Sequence, residues 1–475
     1  MSVLWAGSYS WSNSNAGNSI STSGGSSVGA VSISVTNASS SNCSAVTISS
    51  GVGGNLNGAA AYGGSMSVLW AGSYSWSNSN AGSGSSSSNS GATNGSGVEV
   101  FISNASFYDC SAASINSGSW TQYIGGGSSA GTSAVGGGLS AVYFGAYTFG
   151  SADTSSSISA ATSINDVRVY ITNALSSNCS AVFTTNSAYS GGSFGASAYG
   201  GAVSAVYVGA YSLSSSNAGS SSSTCAETSA VGVSVSIRSA LFNGCRAVIM
   251  TSLAVVPDDG GEGGSVGASA FGGSLSVVYL AATSFSFSGS GSSNSITGYT
   301  NARFINISVT NTVLSNSIAL TTCNAASGSF VTNVYGGSIS VLYIGGNSMS
   351  WQVAAPYCVS TSGATNASDL GILMSNVSSS NSSAVTSTNS NTGSSGANAY
   401  GGSVSLIYVG AFAWSFAVGK VGQAVKSTVI CGTTFATRVS LIINNSSFVD
   451  SLAFSRTLLS MFPLLFLMQS EPQKQ

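Results

Sequence analysis

The chain has 475 residues, a formal net charge of −2, nine Lys/Arg, eleven Asp/Glu and no histidine. Only 4% of its residues are charged, against about a quarter in an ordinary soluble domain. So few cations cannot form the basic face that neutralises phosphates, which excludes a nucleic-acid partner, and without histidine no Ser-His-Asp or Cys-His arrangement exists.

The first segment announces a repeat. Residues 1–17 (MSVLWAGSYSWSNSNAG) recur unchanged at 66–82. The pair Gly63-Gly64 recurs at Gly136-Gly137, Gly200-Gly201, Gly272-Gly273, Gly336-Gly337 and Gly401-Gly402. Internal self-similarity at such a period marks a stacked architecture, here about seven units of roughly 65 residues counting the partial first copy. Met1 is the counterpart of Met66, so the chain opens inside a repeat. Its start is read as truncated or misassigned, and the lack of a visible signal peptide is uninformative.

Each unit carries two apolar blocks. The first reads GGSMSVLWAGSYSW at 63–76 and GGSVSLIYVGAFAW at 401–414; the second reads VSISVTNASSSNCSAV at 31–46 and VRVYITNALSSNCSAV at 167–182. Both are rich in Val, Ile, Tyr, Phe and Trp without apolar spacing of three and four, which is strand chemistry. The first block is apolar on both sides, so either a bend falls there or a loop covers its outer face. Stretches such as SNSNAGSGSSSSNSGATNGSG at 77–97 are expected to be exposed loops. Two units are longer, and their extra residues enter between the second block and the next Gly-Gly, which places them on one edge of a stack.

Aligned units show columns of like residues. Seven places after the first glycine stand Trp70, Tyr143, Tyr207, Tyr279, Tyr343 and Tyr408. The second block carries Asn37, Asn104, Asn173, Asn311, Asn376 and Asn445, with Asn42, Asp109, Asn178, Asn316, Asn381 and Asp450 five places on. The fourth unit breaks both columns with Ser239 and Gly244. Such identity is what a parallel solenoid produces, because position n of one coil lies above position n of its neighbour. Aromatic columns stack, and Asn at a strand end tolerates the left-handed turn conformation. The expected fold is therefore all-β, a right-handed parallel β-helix over residues 1–454 with long Ser/Gly-rich loops. Two coils per unit would make it on the order of 60 Å long.

Gly201-Ala202-Val203, together with Phe107–Cys110, Leu175–Asn178 and Phe448–Asp450, resembles the alternating Gly-Gly-Ala-aliphatic and Phe-x-x-Asn elements of polymorphic outer-membrane proteins. Other right-handed parallel β-helix surface proteins share this pattern. The likeness covers almost the whole chain, although the spacing here is longer and Ser often replaces Phe. It implies a pectin-lyase-like fold and a cell-surface role, and it transfers no catalytic residue.

The tail, residues 455–475, is apolar but non-repetitive. Thr457–Met468 is twelve residues and contains Pro463, short of the ~20 that span a bilayer. It is read as a cap on the last coil or a misread gene end, and membrane association stays open.

The eight cysteines lack a CxxC pair, so no metal site is expected. Cys43, Cys110, Cys179 and Cys245 share one column, continued by Ser317, Ser382 and Ser451. With two coils between successive members the gap is nearer 10 Å, too long for a disulfide. The pairing of Cys225, Cys323, Cys358 and Cys431 cannot be read. Eleven Asn-x-Ser/Thr sequons are no more than this composition produces by chance, so they do not argue for glycosylation. Asp258, Asp259 and Glu262 form the single acidic cluster, read as a solvated loop, and Asp166 with Arg168 is read as a surface ion pair.

Function follows from what remains: no catalytic residue, no cofactor, no metal. The expectation is a non-enzymatic structural or adhesive protein of the cell surface or extracellular matrix, with carbohydrate or surface proteins as partners. The alternative is a polysaccharide lyase or hydrolase on the same scaffold, which would need acids converging on one face. The Trp/Tyr column, were it exposed, would offer a flat sugar-binding strip, whereas buried packing is the plainer role for it.

Overall fold

The computed structural model describes residues 2–459 apart from residues 15–17, 53–59, 80–83, 120–128, 131–132, 153, 188–192, 195–196, 217–218, 254–264, 289–290, 326–328, 354–356, 391–393 and 419–425. The described residues are all-β, in parallel sheets. After Gly63-Gly64 the chain runs through Met66–Ser79, Ser85–Ser90, Thr93–Ser103, Ser106–Tyr108 and Ser111–Ser119, and comes back through Ser133–Val135 to the next Gly-Gly. Equivalent segments of successive repeats pair in register and build four sheets. They are a seven-stranded central sheet (Met66–Ser79 and its equivalents), a seven-stranded serine sheet (Ser85–Ser90), an outer sheet (Thr93–Ser119) and a closing sheet (Ser133–Val135).

The register corrects the expected coil count. Trp70 pairs with Trp5 on one side and with Tyr143 on the other, so each repeat contributes one layer and not two. Equivalent residues are then about 4.8 Å apart along the stack, and its length is about half that expected.

The central sheet explains why the first block is apolar throughout. Val68, Leu69, Trp70 and Ala71 are all fully buried, because other sheets cover both faces, the usual condition of parallel strands. One face joins an aliphatic core with the outer sheet, where Leu69 and Ala71 meet Val98, Val100, Ile102 and Phe107. The other joins an aromatic core with the closing sheet. The pairing skips Val68, Ala141, Ala205, Val277 and Val341, so each strand bends at that residue. Met66 and Val68 thereby reach the same aliphatic core as Leu69 and Ala71.

The serine-rich stretches are not all exposed loops. Ser86, Ser88 and Ser90 are buried against the second half of the central strand. Many hydroxyls bond to one another and to the backbone across this seam: Ser223 donates to Ser212 at 2.8 Å, Ser212 to the Ser157 carbonyl at 2.8 Å, and Ser284 to the Ser223 carbonyl at 2.9 Å, whereas the hydroxyls of Ser77, Ser86, Ser155 and Ser157 have no partner among the described residues. A buried hydroxyl costs free energy only when unpartnered, so a column of serines can fill a narrow interior that composition alone assigns to solvent.

The corners are left-handed. Gly63 (φ 49°) turns the closing strand into the central one, and a Cβ on the following Gly64 would lie 2.2 Å from the Gly137 carbonyl oxygen of the next layer. The Asn ladder residues Asn37, Asn104, Asn173, Asn311, Asn376 and Asn445 all have φ between 46° and 56°. A corner that the sequence reading missed runs through Ala30, Gly97, Asp166, Gly232, Phe304, Asp369 and Arg438, with φ from 50° to 68°. It mixes residue types, so no column betrays it. The two acidic and tail segments, Asp258 to Glu262 and residues 460–475, lie outside the described residues.

Candidate functional site

The aromatic column sits inside. Trp70 and Tyr143 are fully buried, and Tyr207, Tyr279 and Tyr343 are 6%, 6% and 4% exposed; Tyr408, in the last layer, is half-buried. Their rings lie stacked: 6.0 Å from Trp70 to Tyr143, then 4.5, 5.1, 4.9 and 4.9 Å on to Tyr408. Tyr199, Phe271, Tyr335 and Tyr400 of the closing sheet form a second column that meets the first edge-on or tilted. Burial pushes the Tyr207 phenol up to about 12 and raises Tyr143 and Tyr279 well above the usual tyrosine range. These rings are core and do not form a sugar-binding strip.

The Asn columns lie at exposed corners and hydrogen-bond along the stack. Asn104 donates to the Oδ1 of Asn37 at 3.2 Å, Asn173 to that of Asn104 at 3.0 Å, and Asn376 to that of Asn311 at 2.9 Å. Such ladders satisfy amides that turn geometry exposes. Asp109 belongs to the parallel ladder as acceptor for Asn178 at 3.1 Å, and its only acidic equivalent, Asp450, lies five layers away.

The exposed face of the outer sheet brings together side chains that the sequence reading passed over. Val98, Val100 and Ile102 point inward, which turns Glu99, Phe101 and Ser103 outward; Arg168, Tyr170 and Thr172 align with them one layer on. Phe101 and Tyr170 stack with ring centroids 4.8 Å apart and planes within 7°. Arg168 pairs with Glu99 at 2.8 Å, not with Asp166 as expected, because Asp166 turns a corner (φ 51°) while Glu99 stands directly beside the arginine in the neighbouring strand. Further along the same columns is a shallow depression of about 250 Å³, lined by Ser234, Ser236, Asn306, Ser308, Leu373 and Ile442 among others. It opens where Gly371 follows Asn306 in the column. The signal for this face was available: the strict alternation in VEVFIS (98–103) and VRVYIT (167–172) assigns the outward residues.

Acids do not converge here. Glu99 is paired to Arg168 and Asp369 to Arg438, and among the described residues no group of three or more His, Cys, Asp or Glu could hold a metal ion. No helix among the described residues is long and apolar enough to cross a membrane.

The cysteine column corrects a distance. Cys43, Cys110, Cys179 and Cys245 lie one layer apart, not two, because Ser44 pairs with Ser111, Ser111 with Ser180, and Ser180 with Arg246. All four are free thiols. Cys225 is a buried free thiol, Cys358 is buried, and Cys431 is an exposed free thiol. Cys225 faces Ser159 and Thr297, and Cys358 faces Ser293 and Ser427, so neither adjoins another cysteine. The Cys323 side chain lies outside the described residues.

No family model, curated protein or solved structure matches the chain.

Proposed function

We propose that this chain is a right-handed parallel β-helix of about seven units and that it serves as a non-enzymatic structural or adhesive protein at a cell surface or in an extracellular matrix. Its outer sheet would be the contact face, and neutral carbohydrate or a surface protein the partner. The observation that carries the reading is the stacked pair Phe101–Tyr170, 4.8 Å apart on an exposed, register-locked face, continued by the depression where Ser234, Ser236 and Asn306 stand beside Leu373 and Ile442. Aromatic rings offer flat apolar area while hydroxyls and amides supply directional hydrogen bonds, and the scarcity of charge disfavours a polyanionic ligand. Rigid stacking supports such a face because each layer is held by two neighbours.

The test is protease shaving of intact cells followed by detection of the chain, together with a glycan-array comparison of the parent and a Phe101→Ser/Tyr170→Ser variant. Loss of the cell-associated signal and weakened binding of the variant to neutral glycans are expected. Retention of the chain inside shaved cells, or release of unsaturated uronate from polysaccharide by the purified protein, would overturn the reading.

A further inference from the structure

Sulfur stacks in four consecutive layers at one corner of the outer sheet. Cys43, Cys110, Cys179 and Cys245 each follow a left-handed residue, Asn42, Asp109, Asn178 or Gly244. The last three are fully buried. Each of these thiols donates to the carbonyl two residues before it, at 3.2 Å to Tyr108, 3.5 Å to Ser177 and 3.4 Å to Asn243. Each also points back at the preceding layer, toward the carbonyls of Ser40, Phe107 and Ser176 at 3.9, 3.6 and 3.9 Å. Those three carbonyls belong to one column, so the sulfurs share one shaft along the stack.

Neighbouring layers in a parallel sheet bring equivalent α-carbons to about 4.8 Å, inside the roughly 4.4–6.8 Å that a disulfide spans. The shaft also changes character with the residue that fills it. Where the column holds serine, the facing residue at the start of the central strand is serine and the hydroxyls pair: Ser274 with Ser317, Ser338 with Ser382, Ser403 with Ser451. In the layers of Cys179 and Cys245 the equivalent positions are Gly138 and Ala202, which carry no hydroxyl, whereas in the layer of Cys110 it is Ser65. The hydroxyls of the same corner also reach the column: Ser176 donates to the Cys179 sulfur at 3.1 Å, and the Ser40 hydroxyl lies 2.7 Å from the Cys43 sulfur.

We propose that this column is a site of oxidative cross-linking, closing as Cys43–Cys110 and Cys179–Cys245 disulfides between adjacent layers. The co-reactant is a low-molecular-weight disulfide of the oxidised-glutathione class. One protein thiolate attacks it, expelling one small thiol and forming a mixed disulfide; the partner thiolate then attacks the protein sulfur and expels the second. Two protein S–H bonds are lost, one S–S bond forms, and the co-reactant is reduced to two thiols with the protons balanced between them. This pairing uses all four sulfurs. A Cys110–Cys179 bridge would strand Cys43 and Cys245 three layers apart, beyond bonding reach. Because the shaft is closed to solvent from Cys110 onward, closure accompanies the stacking of layers and does not follow it. The proposal rests on register alone and stands apart from the surface reading.

The experiment is to denature the full chain and refold it in a mixture of oxidised and reduced glutathione. Remaining thiols are alkylated, and the product is digested without reductant and read by mass spectrometry. Linked peptides joining Cys43 to Cys110 and Cys179 to Cys245 are expected, with the other four cysteines, Cys225, Cys323, Cys358 and Cys431, alkylated. Cys179→Ser places the column's own later residue in that layer, so the layer still stacks; it should free Cys245 for alkylation and leave the Cys43–Cys110 link in place. Four alkylated column cysteines in refolded chain, a Cys110–Cys179 link, or links scattered to cysteines outside the column would each overturn the proposal.

Discussion

Asn316 donates its side-chain amide to the Oδ1 of Asn243 at 3.0 Å, one position before Gly244, the residue that occupies the same column as Asn316. The fourth repeat thus loses its corner asparagine but keeps a ladder partner, because Gly244 takes over the left-handed turn (φ 64°) while its neighbour supplies the acceptor. Turn conformation and amide pairing are separate requirements that one asparagine usually meets together.

That separation gives a prediction at Asn104, which has φ 53°, donates to Asn37 and accepts from Asn173. Asn104→Gly keeps the turn and loses the amide; Asn104→Ala loses both and adds the left-handed penalty of about 1–2 kcal/mol. Urea unfolding should rank the parent above the glycine variant and the glycine variant above the alanine variant. Equal midpoints for the two variants would show that the turn is not under left-handed constraint.

Gly64 and Gly29 should respond oppositely to alanine. A Cβ at Gly64 would sit 2.2 Å from the Gly137 oxygen and 2.3 Å from the Ser111 oxygen, both backbone, so two layers would have to part. A Cβ at Gly29 would meet the Ser96 hydroxyl at 3.5 Å and the Ser96 carbonyl oxygen at 4.0 Å, both ordinary contacts. Gly64→Ala is expected to abolish the cooperative transition or to lower its midpoint severely, and Gly29→Ala to leave it nearly unchanged.

The columns that announced this stacking in the sequence were those where one residue type meets one geometric need. The Tyr and Asn columns were visible because a stacked ring and a left-handed turn each favour few residues. The corner through Ala30, Gly97, Asp166 and Phe304 was invisible, because those side chains face solvent and share only their φ. Ser223 and Ser295 looked like loop residues and are fully buried, since hydropathy cannot tell a serine whose hydroxyl donates inside the stack from one that faces water. The coil count was illegible for a similar reason: a repeat of given length fixes that equivalent residues align, not how many circuits separate them. At the exposed face, Phe101 and Tyr170 could be placed outward from strand alternation, but their stacking needed the register.

Two phenylalanines six residues apart test the division between core and face. Phe107 is fully buried in the aliphatic core, and its truncation to alanine should cost about 3–5 kcal/mol. Phe101 is 38% exposed, and Phe101→Ala should cost far less, within about 1.5 kcal/mol for the lost ring stacking. Denaturant titration of both variants measures the contrast. Similar losses would mean that the outer face is covered in solution.

The buried phenols set an alkaline limit on stability. Tyr207 is raised from its ordinary value near 10 to about 12, chiefly because burial disfavours the phenolate. A group held protonated by the fold contributes fully below its unfolded pKa, and the contribution disappears as pH climbs through the folded value. The fold should therefore hold its melting temperature up to about pH 10 and lose it between about 10 and 12, with tyrosinate absorbance at those columns appearing together with unfolding. With no histidine in the chain, no comparable step is expected between pH 5 and 8. Tyrosinate absorbance rising fully near pH 10 while the far-ultraviolet β signal persists would place these rings in water and break the stacked interior.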